Sequence, residues 1–496
     1  PGCYKNVKDT SAVAKFKIIN TDLSRFLFSK TTKDIYFIAW TTTPWTLPSN
    51  TALAVGKKIS YTLIETVNQY TGDIIAIILA KELIGSFFKK EDENRDLNNY
   101  NVGEKNLPYF IIDEFKGKQL NNIKYVQLLK YALPENGDSF KVLIADFVTT
   151  EDGTGIVHLA PSFGADDNRV AKKNGIGSLT LVDEQGRFTK EVHDFYGQYV
   201  KDDYYMPNDN KPKLPVDVQI IIKLKEEGKL FKSEKYEHSY PHCWRTDKPI
   251  LYYPLDSWFV KTTSHKERML ELNNTINWKP ASTGDGRFGN WLENLVDWNL
   301  SRSRFWGIPL PIWRTEDGEE EICIGSIKEL KNEIDKSIAA GYMKKNPLNS
   351  FIAGDFSEKN YAVFDLHRPY VDEIKLVSSS GLIMTRELDL IDVWFDSGSM
   401  PYAQLHYPFE NKDLFRENFP ADFIAEGVDQ TRGWFFTLHA ISTLIFDSVA
   451  YKNIVSNGLV LDKSGNKMSK RLGNAIDPFS TLNKYGGDAT RWYMIS

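Results

Sequence analysis

A multidomain α/β protein is the fold the sequence predicts, and three observations predict it. The chain has 496 residues, 42% of them hydrophobic, which is enough for several buried cores and too much for one. Short β-branched and aromatic runs separated by polar turns fill 34–197, the pattern of a compact β-rich α+β domain. Beyond 392 the pattern becomes strand, loop, helix, strand, an α/β order that places a ligand crevice at the strand's carboxyl end.

The elements follow in order. Strands are predicted over 35–40, 59–65, 73–79, 141–148 and 155–159. A helix over 216–230 carries apolar Val218, Ile221, Ile222 and Leu224 and stops at Gly228. The middle, 237–390, is Trp-rich and irregular, with helices expected over 261–273 and 327–337. A strand over 422–425 then runs through Glu426-Gly427-Val428 into a helix over 429–446. No internal repeat or low-complexity tract interrupts this order.

Composition excludes several classes. A net charge of −5 is no global nucleic-acid signature, so any RNA contact has to come from local patches. Three cysteines, Cys3, Cys243 and Cys323, are odd in number and far apart, which argues against a disulfide framework and for the cytoplasm. The longest apolar runs, such as 74–80, are too short to cross a bilayer, so no membrane partner is expected. The sequence opens at Pro1-Gly2-Cys3 without an initiator Met and stops in the helix-like stretch 489–496, so both ends are expected to be cut.

Three motifs share the last third. Lys467-Met468-Ser469-Lys470-Arg471, after the turn Asp462-Lys463-Ser464-Gly465-Asn466, puts two lysines three apart where they could neutralise a leaving pyrophosphate. Alone, such a loop is often merely solvated. Glu426-Gly427-x-Asp429-Gln430-x-Arg432-Gly433-Trp434 sits where a strand hands over to a helix, whose N–H groups favour an anion or a ribose hydroxyl. Asp429 would also suit a plain helix cap. Asp392-Val393-Trp394-Phe395-Asp396-Ser397-Gly398-Ser399 lies upstream, and its aromatics could be plain core residues.

Together these motifs resemble the class I aminoacyl-tRNA synthetases, and within that family the isoleucine type. The resemblance implies that Glu426, Gly427, Asp429 and Gln430 hold the aminoacyl-adenylate, that Trp394 and Trp434 wall the isoleucine pocket, and that Lys467 and Lys470 bind ATP, with Mg2+ as its companion in the full-length enzyme. The family's lysine loop usually ends in Ser where Arg471 stands, a change that leaves both lysines in place. Asn457 falls where many relatives have His. The family's first signature, His-x-Gly-His, is absent from all 496 residues, which implies that this piece cannot charge tRNA by itself.

A second constellation precedes it. Trp40-Thr41-Thr42-Thr43-Pro44-Trp45-Thr46-Leu47-Pro48-Ser49-Asn50 puts several hydroxyls in one loop stiffened by two prolines, although Thr is also an ordinary strand and turn residue. Its expected partner is Gly153-Thr154-Gly155-Ile156-Val157-His158, followed by Gly164-Ala165-Asp166-Asp167; taken singly, a strand His is usually structural and paired aspartates often cap helices. The resemblance implies a proofreading site. Asp167 would pair with the α-ammonium of the misattached amino acid, His158 would contact the terminal adenosine, and Thr42 and Thr43 would orient ester and water, with Thr41, Trp45 and Asn50 lining the pocket. Valine and leucine relatives have Arg where Thr43 stands, which disfavours a valine-type enzyme.

The linking stretch carries two further signals. His238-Ser239-Tyr240-Pro241-His242-Cys243-Trp244-Arg245-Thr246 resembles a segment that holds a Cys-x-x-Cys zinc pair in some relatives; here Thr246 takes the second place, and zinc is not expected. Asp297-Trp298-Asn299-Leu300-Ser301-Arg302-Ser303-Arg304-Phe305-Trp306 interleaves arginines with aromatics. Arg302 and Arg304 either grip the tRNA acceptor end or belong to a buried Arg–carboxylate network.

The six motifs stand in family order along nearly the whole chain, in wording closer to eukaryote-type isoleucine enzymes. The domains implied are a connection over 1–33, a β-rich α+β editing domain over 34–236, linking modules over 237–390, the second half of a Rossmann-type nucleotide-binding fold over 391–475, into which the editing domain is inserted, and the start of a helical stem-contact region over 476–496. The function implied is ATP-dependent charging of tRNA-Ile with isoleucine in the full-length enzyme, with hydrolytic removal of valine from Val-tRNA-Ile. A tRNA-binding fragment without activity is the alternative.

Overall fold

The computed structural model describes residues 3–468 and 473–495, and the chain divides into two compact units, Pro1–Leu255 and Asp256–Ser496. Mixed sheets plus helices make up both, in agreement with the predicted class.

The first unit is built on a six-stranded sheet in the order Tyr109–Lys116, Ser60–Val67, Ile74–Ala80, Ile35–Thr41, Tyr4–Lys17, Leu230–Pro241. Only Ile35–Thr41 and Ile74–Ala80 run parallel; the other neighbours are antiparallel. The strand Ile35–Thr41 shows why these runs are apolar throughout: Ile35, Phe37 and Ala39 enter one core beside Phe16, Leu63 and Ile78, while Ile38 enters a second beside Ile64, Ile77 and Phe231. Both faces of the sheet are covered, so polar alternation disappears. Each fully buried Phe or Ile contributes roughly 1.5–3 kcal/mol.

A three-stranded sheet, Val142–Ile144, Ala52–Val55 and Ile156–Leu159, carries the second motif. The helix Val216–Glu226 buries Val216, Ile220, Ile221 and Leu224 on one face, at helical spacing, in the main core. It ends four residues short of the expected 230 because Gly228, at φ 64°, starts the turn back into Leu230–Pro241.

The predicted start at 34 is not where this unit begins. Tyr4–Lys17 pairs with Ile35–Thr41 on one side and Leu230–Pro241 on the other, so the expected connection is a long central strand, and the sheet runs past 236. Its first half alternates exposed and half-buried polar residues, which resemble a loop until the partner more than 200 residues away is known.

In the second unit, Asn277–Lys279, Tyr451–Asn457 and Ala421–Gly427 form a parallel sheet. The helix Trp434–Phe446, buried continuously from Phe435 to Thr443, links the last two strands. Asn277–Lys279 comes from the stretch expected to be a linker, so the predicted boundary at 391 cuts through this sheet. Nor is the linker irregular: Glu321–Cys323, Ile312–Arg314, Ile383–Arg386 and Lys375–Val377 form an antiparallel sheet on which the helix Ile327–Ala339 packs Leu330 and Ile334. Strands of three or four residues are too short to show a period of two. Among the described residues no helix is long and apolar enough to cross a membrane.

Candidate functional site

The strand Ile35–Thr41 delivers the threonines to a 3-10 turn, Pro44–Ser49, in which Pro44 presets the first position. Thr43 is the N-cap, yet its side chain caps nothing. Its hydroxyl stands 3.3 Å from Thr41 Oγ1 and 3.4 Å from Thr46 Oγ1. The N–H of Thr43 donates to Thr41 Oγ1 at 3.0 Å, which closes the loop on itself.

His158 meets this chain of hydroxyls. Pairing of Leu53 with His158 in the small sheet brings the imidazole under the turn, and Nε2 lies 3.1 Å from Thr46 Oγ1. Thr46 has one hydroxyl proton and donates it to the Thr43 carbonyl at 2.8 Å, so Nε2 carries the ring proton and donates to Thr46. Nδ1 is then a bare lone pair, buried without a partner among the described residues. Burial pushes the imidazole down to about 4, so it is neutral at pH 7. Trp45 Nε1 and Ser49 Oγ in the same turn, and Thr51 Oγ1 just beyond it, are buried without a partner among the described residues. Unmet polar atoms cost about 1–3 kcal/mol each and are rare in cores, so a cluster of them marks a site built for something other than stability.

Asp167 joins from the other side. It lies in the first turn of the helix Ala165–Lys173, and its Oδ2 accepts the Ala160 N–H, two residues beyond His158, at 2.9 Å. Burial raises this carboxyl above its ordinary value, and the Ala160 N–H partly offsets the rise. Gly164 makes the approach possible, since a Cβ there would stand 2.9 Å from the carboxylate carbon. The Trp45 ring packs edge-on against Phe163 at 5.0 Å, tying the threonine turn to the aspartate loop. Asn50 is a bracket: its amide donates to the Ala52 carbonyl at 2.8 Å and its oxygen accepts from Tyr125 at 2.8 Å. Thr42 is half-buried at the apex of the loop. Thr46, Phe163, Tyr125 and Asp217, which accepts the Trp45 N–H at 2.7 Å, were not singled out from sequence. Thr46 stood in the quoted motif; the others offer no local signal.

The second constellation assembles at the carboxyl end of Ala421–Gly427. Glu426 and Gly427 close that strand, and Asp429 and Gln430 lie in the 3-10 turn Val428–Arg432. Asp429 is not the cap of the long helix: Gly433 holds that position, and Gln430 Oε1 accepts the Trp434 N–H at 3.1 Å. Trp434 Nε1 donates to the Ser397 carbonyl at 2.9 Å, and the Trp394 ring lies so near Gly433 that a Cβ there would be 3.2 Å away. Lys467 stands 3.8 Å from Asp429 across an exposed surface. Asn457 pairs with Gly427 at the strand ends. Lys470 and Arg471 lie outside the described residues.

The two readings of the arginines divide between them. Arg302 pairs with buried Asp392 at 2.8 Å and donates to the carbonyls of Asn299 and Ser301, so it is tied into an Arg–carboxylate network while it also lines a cleft with Arg304. Arg304 is exposed, without a side-chain partner among the described residues, beside Trp306 in a cleft of about 560 Å³. At Cys243, a hydrogen bond from Thr246 holds the thiol below its ordinary value.

Comparison with known proteins sets these geometries in context. The isoleucine–tRNA ligase of Cytophaga hutchinsonii is 60% identical over 515 residues, covering 100% of this chain and 44% of that protein. That of Bacteroides fragilis is 56% identical, covering 100% and 46%, and that of Clostridium tetani 46% identical, covering 99% and 41%. The chain thus spans less than half the length of these bacterial relatives. The family model of class I tRNA synthetases for I, L, M and V matches residues 4–496, and the chain belongs to that family.

Proposed function

We propose that this chain is the proofreading half of an isoleucine–tRNA ligase and that its first unit hydrolyses valine from Val-tRNA-Ile. The observation that carries this is the neutral, half-partnered imidazole of His158 at the end of the Thr41, Thr43 and Thr46 hydroxyls, with Asp167 tied two residues away. Proofreading is needed because one missing methylene is worth only about 1–3 kcal/mol in an apolar pocket, a limit for which isoleucine against valine is the standard example.

The ester's α-ammonium would pair with Asp167, whose Oδ2 holds the Ala160 N–H. His158 would contact the terminal adenosine. Thr42 and Thr43 would orient a water against the valyl carbonyl; the C–O bond to the ribose breaks, its oxygen takes a proton, and free valine leaves. The work is positioning, not covalent catalysis. Thr41, Trp45 and Asn50 would shape the pocket that admits valine and refuses isoleucine.

In the whole enzyme, Glu426, Gly427, Asp429 and Gln430 would hold the isoleucyl-adenylate beside Trp394 and Trp434, and Lys467 and Lys470 the phosphates of ATP, whose Mg2+ would supply further charge neutralisation. The parallel sheet would be the second half of the nucleotide-binding fold, and 476–496 the start of the stem-contact region. Arg304 is the remaining candidate for the tRNA acceptor end. The test is to mix the chain with tRNA-Ile charged with valine or isoleucine: selective loss of valine is expected, and a stable valyl ester on demonstrably bound tRNA sinks the proposal.

A further inference from the structure

We infer that Asp217 is a positioning residue of the hydrolytic site, capping the threonine turn from a remote helix so that the Thr43 hydroxyl is free to serve the substrate. The inference rests on the function just proposed. A threonine at an N-cap ordinarily turns its own oxygen onto the N–H two or three residues on. Pro44 has no N–H, so the natural partner of Thr43 is Trp45. That N–H is taken instead by Asp217 Oδ1 at 2.7 Å, across 172 residues of sequence. Relieved of capping, Thr43 Oγ1 lies between Thr41 and Thr46 in the row of hydroxyls that ends at His158.

The arrangement is held rigidly and has an electrostatic cost. Asp217 is buried in the first turn of Val216–Glu226, whose Ile220, Ile221 and Leu224 lock it in the main core. Lys201 offsets part of its burial, while Asp9 and Asp202 oppose it. A leucine would fill this volume without desolvating a carboxylate, so the carboxylate is there for the hydrogen bond it accepts.

A double-mutant cycle tests the inference on valyl-ester hydrolysis. Asp217→Leu is expected to lower kcat about tenfold while KM for the charged tRNA stays within about twofold, as for a misplaced positioning group. Asp217→Asn, which keeps an acceptor oxygen, is expected to stay within about threefold of wild type. In a Thr43→Val background, Asp217→Leu should cost less than about twofold more, because the group it positions is gone. If Asp217→Leu does not fold, Asp217→Ser, too short to reach the Trp45 N–H, takes its place in the cycle. Full activity of the Asp217 variant, or losses that multiply in the double variant, would overturn the inference and leave the proposed function standing. A wild-type chain inert toward the valyl ester overturns both.

Discussion

The two candidate sites hold their polar groups in opposite ways. In the first unit, hydroxyls and an imidazole bond to one another inside the protein, flanked by carboxylates that accept backbone N–H groups, with His158 only 8% exposed. In the second, Asp429 and Lys467 have side chains 43% and 56% exposed and meet at 3.8 Å. A buried hydroxyl chain is assembled before any substrate arrives, whereas an exposed ion pair is screened and contributes well under about 1 kcal/mol. The first constellation is thus a preassembled hydrogen-bond network, and the second a set of exposed, weakly coupled charges.

The hardest test of that contrast is Asp167→Ala. If the first site is preassembled, loss of this one carboxylate should slow valyl-ester release by about 100-fold to 1000-fold, beyond the roughly 1–3 kcal/mol of stability lost with the Ala160 N–H partner; a loss under about threefold would remove Asp167 from the site. Hydrolysis rates on purified valyl-tRNA decide it.

Acid sharpens the comparison next. Each unit buries one histidine pushed down to about 4, His158 in the first and His439 in the second. The unfolded chain protonates such a residue near 6.5 and the folded one does not, so stability falls as pH drops from about 6.5 to 4. Asp217, raised to about 7 by burial, works the other way: the folded state keeps its proton above the unfolded carboxylate's 3.8, so acidification regains stability over the same window. In the first unit the two oppose; in the second, burial raises the Asp396 carboxyl in the same sense, and His439, donating to the Met269 carbonyl at 2.8 Å, carries the acid loss. His439→Gln should therefore shrink the acid loss of the second unit by about 2–3 kcal/mol, read from hydrogen exchange of the helix Trp434–Phe446 against pH. An unchanged pH slope would show that His439 does not carry it.

The arginines give a smaller effect. Arg302→Ala leaves Asp392 buried without its cation and should cost about 2 kcal/mol in denaturant unfolding, discounted for the exposed side of Arg302. Arg304→Ala should stay within about 0.5 kcal/mol and instead weaken tRNA binding, with a shallower salt dependence in a filter or fluorescence assay. Equal stability losses would erase the distinction drawn between them.

Least of all should come from Lys467→Ala: hydrolysis within about twofold and stability within about 0.5 kcal/mol, since the pair it breaks is solvated. A large loss of editing would mean that the two sites are not separate.

Much of this was legible from sequence where the signal is local. Ile35–Thr41, Ile74–Ala80 and Val216–Glu226 emerge within one to four residues because burial on one or both faces dictates their periods. The threonine turn and the strand bearing His158 are readable as motifs, and the family resemblance, with which the matching family model agrees, implies the roles proposed for them. Tyr4–Lys17 was missed because its polar half is a strand only by virtue of Leu230–Pro241. The linker's antiparallel sheet was missed because three-residue strands have no period to read.

By itself, then, the amino-acid order determined which elements exist wherever apolar spacing repeats, which residue types stand in each loop, and which family the chain resembles. Which atoms of those residues face one another was decided only by tertiary structure. The cap from Asp217, the tautomer of His158, the commitment of Arg302 to Asp392 and the handover of the helix cap from Asp429 to Gln430 all depend on a second partner. A hydrogen bond needs a donor and an acceptor within about 3 Å, and sequence specifies each end without the distance between them.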